Sequence, residues 1–386
     1  MKILKLVIKN SFRHKLRSFL TIAGIAIAVI AFGVLRTIVT SWYQSVEASS
    51  QDRLVTRQSV SFIFPLPLSY KDKIAQVPGV NDVTYANWFG GTYIDKNNFF
   101  ARIAVDVDTY FKVYPEYVIG NKEFEDFKKE RNACVIGSSL AQQYNLKVGD
   151  VMTLDGDIFP GKWDFVIRGI YTPKNKSTDA TQMFFHWDYI NEQMKEEMPL
   201  RANQVGWYVE SIAPSANSGG ISKEIDDLFD NSPTETKTET ETAFTQGFIS
   251  SSSAIIDAMN IMSFLIIGII LLVLANTMVM AARERTREYA VFKTLGFSAS
   301  HLVGLILGES LFIAFIGGVL GLLITYPIVA GFGEALPKGF FPVFEIEPIT
   351  LIFSFIVVIV VGVGAAIFPI RKSLTTKIVD GLRFVG

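Results

Sequence analysis

The sequence predicts an α-helical membrane protein, with four transmembrane helices and a large mixed α/β extracytoplasmic domain. Three observations predict it. The 386 residues are 49% hydrophobic and only 19% charged, with a mean hydropathy of +0.32. The apolar residues crowd into the first forty positions and the last third, leaving an ordinary mixed segment between them. Lysine and arginine gather beside the apolar runs in a pattern that gives them one common side.

A helix needs about 20 mostly apolar residues to cross about 30 Å of hydrocarbon. Runs at 19–39, 259–282, 302–329 and 349–370 satisfy this, the first interrupted only by Arg36 near its far end. They predict spans at 18–40, 258–282, 301–330 and 349–370. Lys2, Lys5, Lys9, Arg13, Lys15 and Arg17 precede the first span without an acid among them. Arg283, Arg285, Arg287 and Lys293 lie in the 283–300 connection, and Arg371, Lys372, Lys377 and Arg383 in the 371–386 tail. The 331–348 connection instead sets Lys338 against Glu334, Glu345 and Glu347. The positive-inside rule therefore predicts cytoplasmic termini and an outer segment at 41–257. A cleavable signal is the rival reading of the first span, but its apolar run is longer than a typical signal core, which favours a retained anchor. Residues 1–17 alternate apolar side chains with lysines at helical spacing. They suit either an amphipathic helix in the lipid interface or a plain positive flank.

The outer segment reads as mixed α/β. Helical stretches at 69–76, 138–144 and 221–229 alternate with strands at 81–85, 101–107, 151–154, 163–171, 204–209 and 234–242. The first and last units are expected to pair as a split ferredoxin-like fold, with a strand-rich middle and a helical stalk from Gln246 onward.

Enzyme chemistry finds little footing. Gly156, Gly161 and Lys162 have the spacing of a phosphate-cradling loop, G-x-x-x-x-G-K. Trp163 stands where Ser or Thr should hold Mg²⁺, and a strand follows in place of a helix, so a β-hairpin turn is expected. Ser138 and Ser139 after Gly137 do not form a nucleophile elbow. One cysteine, Cys134, excludes an intrachain disulfide, and His14, His186 and His301 are too scattered to suggest a metal site. Glu123, Glu125 and Asp126 among Lys122, Lys128 and Lys129 read as a solvated charged face. With a net charge of −1, nothing points to nucleic acid.

The informative stretch is 276–296: Asn276, Met278, then Arg283, Glu284, Arg285, Thr286, Arg287, Glu288, Tyr289, and finally Phe292, Lys293 and Gly296. Helical spacing places Glu284 and Arg287 at i,i+3, and Arg283 and Arg287 at i,i+4, giving a charged side. Tyr289, Phe292 and Leu295 give an apolar one, and Gly296 suits a C′ position. This stretch resembles the FtsX/MacB-type (type VII) ABC transporter permeases, in which N-x-M precedes a charged run and then K-A-L-G. Glu309-Ser310-Leu311, Gly317, Gly318, Gly321, Pro369 and Arg371 resemble the same family, as does Lys15-Leu16-Arg17-Ser18 at the first span. The resemblance implies a stand-alone permease in the cytoplasmic membrane. Residues 283–288, Tyr289, Phe292, Lys293 and Gly296 would then couple it to a separate ATPase that binds ATP and Mg²⁺, leaving this chain without a cofactor. It implies two permease copies, identical or paired, two ATPase subunits, surrounding lipid, a periplasmic adaptor and an outer-membrane channel. Export by mechanotransmission is the first reading; lipoprotein or lipid extraction and signalling to a cell-wall hydrolase stand beside it.

Glu309 is a further candidate, because an acid inside a span is a functional residue by default; a structural contact or hinge is favoured over a proton relay. Gly304/Gly308 and Gly317/Gly321 have the small-residue spacing that admits close helix contacts.

Overall fold

The computed structural model describes residues 2–96, 98–175, 177–335 and 344–383; Lys338 of the 331–348 connection lies outside them. The chain forms two compact units. One comprises Met1–Thr40, Ser253–Gly333 and Phe344–Gly386, the other Ser41–Ser252 and Glu334–Val343.

The first unit is helical. An N-terminal helix, Lys2–Ser11, precedes the first long helix, Lys15–Ala48. Three more long helices follow at Ser253–Glu284, Ala299–Ala335 and Pro348–Thr375, with short helices at Thr286–Thr294 and Ile378–Arg383. The four long helices have the length and apolarity to cross a membrane. Close backbone approach fixes how two of them pack. A Cβ at Gly317 would lie 2.7 Å from Ile25 Cβ of the first span, and one at Gly321 2.7 Å from Val29 Cβ. Only glycine admits that approach, which supplies dispersion contacts where no hydrophobic force separates helix from lipid. Some polar groups inside the unit find partners across helices. The Ser310 hydroxyl donates to the Gly362 carbonyl at 2.6 Å, and Arg36 sits 5.6 Å from the centre of the Phe353 ring. Phe19, Phe264 and Leu272 remain exposed, as lipid-facing side chains should.

Among the described residues, the second unit carries twelve strands. They are β1 Arg53–Gln58, β2 Leu66–Pro67, β3 Val80–Trp88, β4 Arg102–Val105, β5 Tyr117–Val118, β6 Ala133–Gly137, β7 Val151–Gly156, β8 Gly161–Pro173, β9 Met183–His186, β10 Gln204–Val205, β11 Trp207–Ile212 and β12 Thr236–Thr240. The main sheet runs β12-β1-β11-β3-β4-β9-β6-β8-β5, with β7 paired to β8, while β2 and β10 form a separate ladder. The order β12-β1-β11-β3, with helices Tyr70–Ile74 and Ser218–Phe229 between successive strands, is the split βαββαβ arrangement expected of the first and last units. Its register places Val55 opposite Val209 and Tyr208 opposite Tyr85. The inserted middle is joined through β4, and β9 runs parallel to it. Phe89 centres the core, with the rings of Phe185, Trp163, Phe159 and Phe165 at 5.4, 5.6, 5.7 and 6.1 Å. Three of the four meet it edge to face, the arrangement ring quadrupoles prefer.

Two local expectations change. The strand expected at 204–209 is divided at Gly206, whose N–H donates to Ala86 while Gln204 and Val205 pair away with β2. The charged stretch at 121–129 is a helix, Asn121–Lys129, that buries Phe127 completely beneath its charges. The G-x-x-x-x-G-K segment is a hairpin turn: Gly156 pairs with Gly161, Lys162 lies opposite Asp155, and Trp163 is buried in β8.

Candidate coupling site

The second span ends at Glu284, and the backbone leaves helical geometry at Arg285 (φ −104°, ψ 11°) before Thr286–Thr294 begins. The short helix closes at Gly296 (φ +84°). Gly296 N–H donates to Lys293, and Phe297 N–H donates to Phe292 at 3.0 Å, the paired bonds of a Schellman motif. The break at Arg285 has a consequence for the sequence spacing. Arg283 and Glu284 belong to one helix and Arg287 to the next, so the charged side predicted by i,i+3 and i,i+4 is divided.

Arg285 turns inward. Its Nη1 donates to Glu309 Oε2 of the third span at 2.6 Å and its Nε to Glu288 Oε2 at 3.2 Å. Only 8% of either the Arg285 or the Glu309 side chain is exposed, and the guanidinium carbon lies 5.5 Å from the centre of the Tyr289 ring. Two buried charges lose their hydration, so this pair depends on close geometry and extra hydrogen bonds to hold. Glu288 supplies the next link, because it also accepts from Arg13, which follows the N-terminal helix. Burial pushes the Glu288 carboxyl upward, but hydrogen bonds from Arg13 and Arg285 outweigh it and hold the group below the usual carboxylate range. Glu284 accepts from Arg17 at 2.7 and 2.9 Å and lies 3.2 Å from His14. Lys293 Nζ donates to the carbonyls of Ser373 and Thr376, each at 2.8 Å, satisfying acceptors at the end of the fourth span.

The structure thus divides the predicted residues. Glu284, Arg285, Glu288, Tyr289 and Lys293 are engaged within the unit, as is Glu309. Thr286 and Phe292 are half-buried, and Arg283, Arg287 and Gly296 are exposed. Beside Arg287, the exposed apolar residues Val291, Leu295 and Phe297 complete a surface that the sequence reading did not assemble. The signal for it was the spacing of 287, 291 and 295, four residues apart on one helical face. Among the described residues, no three His, Cys, Asp or Glu side chains are grouped to hold a metal ion. Cys134 is buried in β6, where desolvation pushes its thiol well up, away from reactivity.

Four apolar spans, a split α/β insertion after the first, and a charged helix between the second and third define a multi-pass membrane protein. Residues 18–228 match the MacB-like periplasmic core domain, and residues 260–378 match the FtsX-like permease C-terminal domain. The chain belongs to this family and is an ABC transporter permease subunit with a periplasmic or extracellular domain. It is 24% identical to an uncharacterized ABC transporter permease of Methanocaldococcus jannaschii, over 99% of this chain and 97% of that protein. It is 25% identical to the ABC transporter permease YtrF of Bacillus subtilis, over 63% of this chain and 58% of that one. Among solved structures, the periplasmic region of MacB from Actinobacillus actinomycetemcomitans aligns at a TM-score of 0.40 and 12% identity. That alignment covers 53% of this chain and 95% of that one.

Proposed function

We propose that this permease transmits the work of a separate ATPase to its own α/β domain, driving export in concert with a periplasmic adaptor. Two permease copies would pair with two ATPase subunits, which bind ATP and Mg²⁺, and an outer-membrane channel would complete the export path. The termini and the 283–300 connection would face the cytoplasm, as the distribution of lysine and arginine favours. The observation that carries this reading is the build of the Thr286–Thr294 helix. Arg285, Glu288 and Lys293 root it in the spans on one side, while Arg283, Arg287, Val291, Leu295 and Phe297 stand exposed on the other. A partner that pushed on that exposed side would act on the third span through Arg285 and Glu309, and on the N-terminal segment through Glu288 and Arg13. A push of this kind needs no polar channel, and the spans offer few polar side chains to line one.

Arg287→Glu combined with Leu295→Asp tests it, because both side chains are exposed. The variant is expected to insert normally, yet to lose co-purification with its partner ATPase and to lose stimulated ATP hydrolysis. Undiminished co-purification would overturn the assignment. Extraction of a lipid-bearing substrate is the second reading, favoured by an apolar pocket in the α/β domain.

A further inference from the structure

That pocket lies wholly within the α/β domain, where the turn between β7 and β8, the end of β3 and the start of β11 converge. It encloses about 480 Å³, within the range of roughly 300–1,000 Å³ typical of small-molecule sites. Phe62, Trp88, Ile158, Phe159 and Trp207 form its walls, and among the described residues Arg201 is the charged one that lines it. The aromatic walls are braced from behind: Phe62 packs on Trp207 at 4.9 Å and on Phe244 at 5.2 Å, and Phe159 stacks on Phe89 of the core at 5.7 Å. The cavity is therefore held open by packed rings.

The edge of the pocket has the opposite character from a solvated loop. Ile63 is 88% exposed and Leu200, next to Arg201, is 92% exposed. Large apolar side chains gathered around a cavity leave water in unfavourable contact unless something covers them. Arg201 Nη1 donates to the Ile158 carbonyl at 2.9 Å, which holds the guanidinium against the pocket wall. Among the described residues it forms no ion pair, and neither Asp nor Glu lines the pocket. The remaining polar side chains of the lining, Asn87 and Gln204, are uncharged amides.

We propose that this pocket is a binding site for a small anionic amphiphile, whose apolar body enters between Trp88 and Trp207 while its anionic group meets Arg201. The charge selects the class. An apolar pocket with one unpaired cation and no acid favours an anion over a neutral or cationic molecule of the same shape, since Arg presents a fork of donors to an acid group. The volume selects the size, a single compact amphiphile and not a folded protein surface. This assignment stands on the α/β domain alone and does not depend on the coupling reading.

The test uses the full chain in phosphatidylcholine nanodiscs with two probes of similar shape, anionic 1-anilinonaphthalene-8-sulfonate and neutral N-phenyl-1-naphthylamine. Energy transfer from tryptophan reports occupancy, with empty nanodiscs subtracting partition into lipid. Saturable binding of the anion is expected, tighter than that of the neutral probe. Arg201→Gln, at an exposed position, should weaken the anion about tenfold or more and leave the neutral probe unchanged. Ile158→Trp should fill the cavity and weaken both. Equal binding of the two probes by the wild-type chain, or anion binding that neither substitution alters, would overturn the proposal, and so would the absence of saturable binding above empty nanodiscs.

Discussion

The two units of this protein are held together by different chemistry. In the helical unit, the Thr286–Thr294 helix packs Tyr289 into the apolar core and is tied at its start by ion pairs: Arg285 to Glu309 and Glu288, Glu288 to Arg13, Glu284 to Arg17. In the α/β domain the corresponding place is taken by rings, with Phe89 enclosed by Phe159, Trp163, Phe165 and Phe185. A packed aromatic core has one arrangement and resists small displacements. A chain of ion pairs can exchange partners, because each carboxylate offers two oxygens and each guanidinium five donors. Motion is to be sought at the ionic joint and not in the aromatic body.

The sharpest way to break that comparison is to remove the centre of the joint. Arg285→Ala leaves the Glu309 carboxylate buried without its partner, a change that costs roughly 3–5 kcal/mol in comparable buried pairs. Amide exchange in the third span and in the 286–294 helix should accelerate strongly, and stimulated ATP hydrolysis should be lost. Arg285→Met with Glu309→Leu removes both charges and is expected to restore most of the protection while leaving coupling impaired. Equal loss of protection in the single and double variants would mean that packing, not the ion pair, holds the joint.

A smaller effect is expected inside the α/β domain, at the fully buried acid of its central sheet. Glu210 of β11 is fully buried, between Leu54 of β1 and Val83 of β3 in register. Desolvation pushes its pKa up to about 8, against about 4.3 in an unfolded chain. Between those values the folded state holds the proton that the unfolded state has released. The stabilisation is therefore complete below about pH 4.3 and is lost as pH rises through 8. Glu210→Gln removes the titration. Its denaturation midpoint, followed by the near-ultraviolet signal of the domain, should match the wild-type near pH 4. At pH 8 its midpoint should lie above that of the wild-type, corresponding to a stability difference on the order of a few kcal/mol. A wild-type midpoint that rises from pH 5 to pH 8 would contradict the burial of a neutral carboxyl here.

The sequence made much of this architecture legible, and the failures have a common cause. The spans announce themselves by length alone, and β8 by its alternation of buried and exposed residues. By contrast, every residue of β6 and β9 is buried, so neither has a period of two to detect. The helix at Asn121–Lys129 hides one buried ring among charges. At the candidate site, the residue types were read, and Gly296 stands in the left-handed conformation that a C′ glycine supplies. What spacing could not convey is the helix break at Arg285. That break turns one arginine toward Glu309, 24 positions away, and leaves Arg287 outside. A buried pair between distant segments has no local pattern, although an acid within an apolar span was itself a sign that a cation must meet it.

The smallest expected effect lies at the exposed end of the same ionic chain. Glu284 is bonded to Arg17 through two hydrogen bonds, but its side chain is 41% exposed and that of Arg17 28%. An exposed pair of this kind contributes about 0–1 kcal/mol, because water screens it and two long side chains must be ordered to form it. Glu284→Gln should therefore leave the thermal midpoint nearly unchanged, and the remaining difference should vanish in about 1 M salt, where the Debye length falls to roughly 3 Å. Arg285→Ala should keep its full effect under the same conditions, since salt does not reach a pair with 8% exposure. Thermal unfolding of both variants at low and high salt separates the two cases. If Glu284→Gln proved as damaging as Arg285→Ala and equally indifferent to salt, the joint would have its centre at Arg17 and Glu284, and the ionic chain would have to be read from the other end.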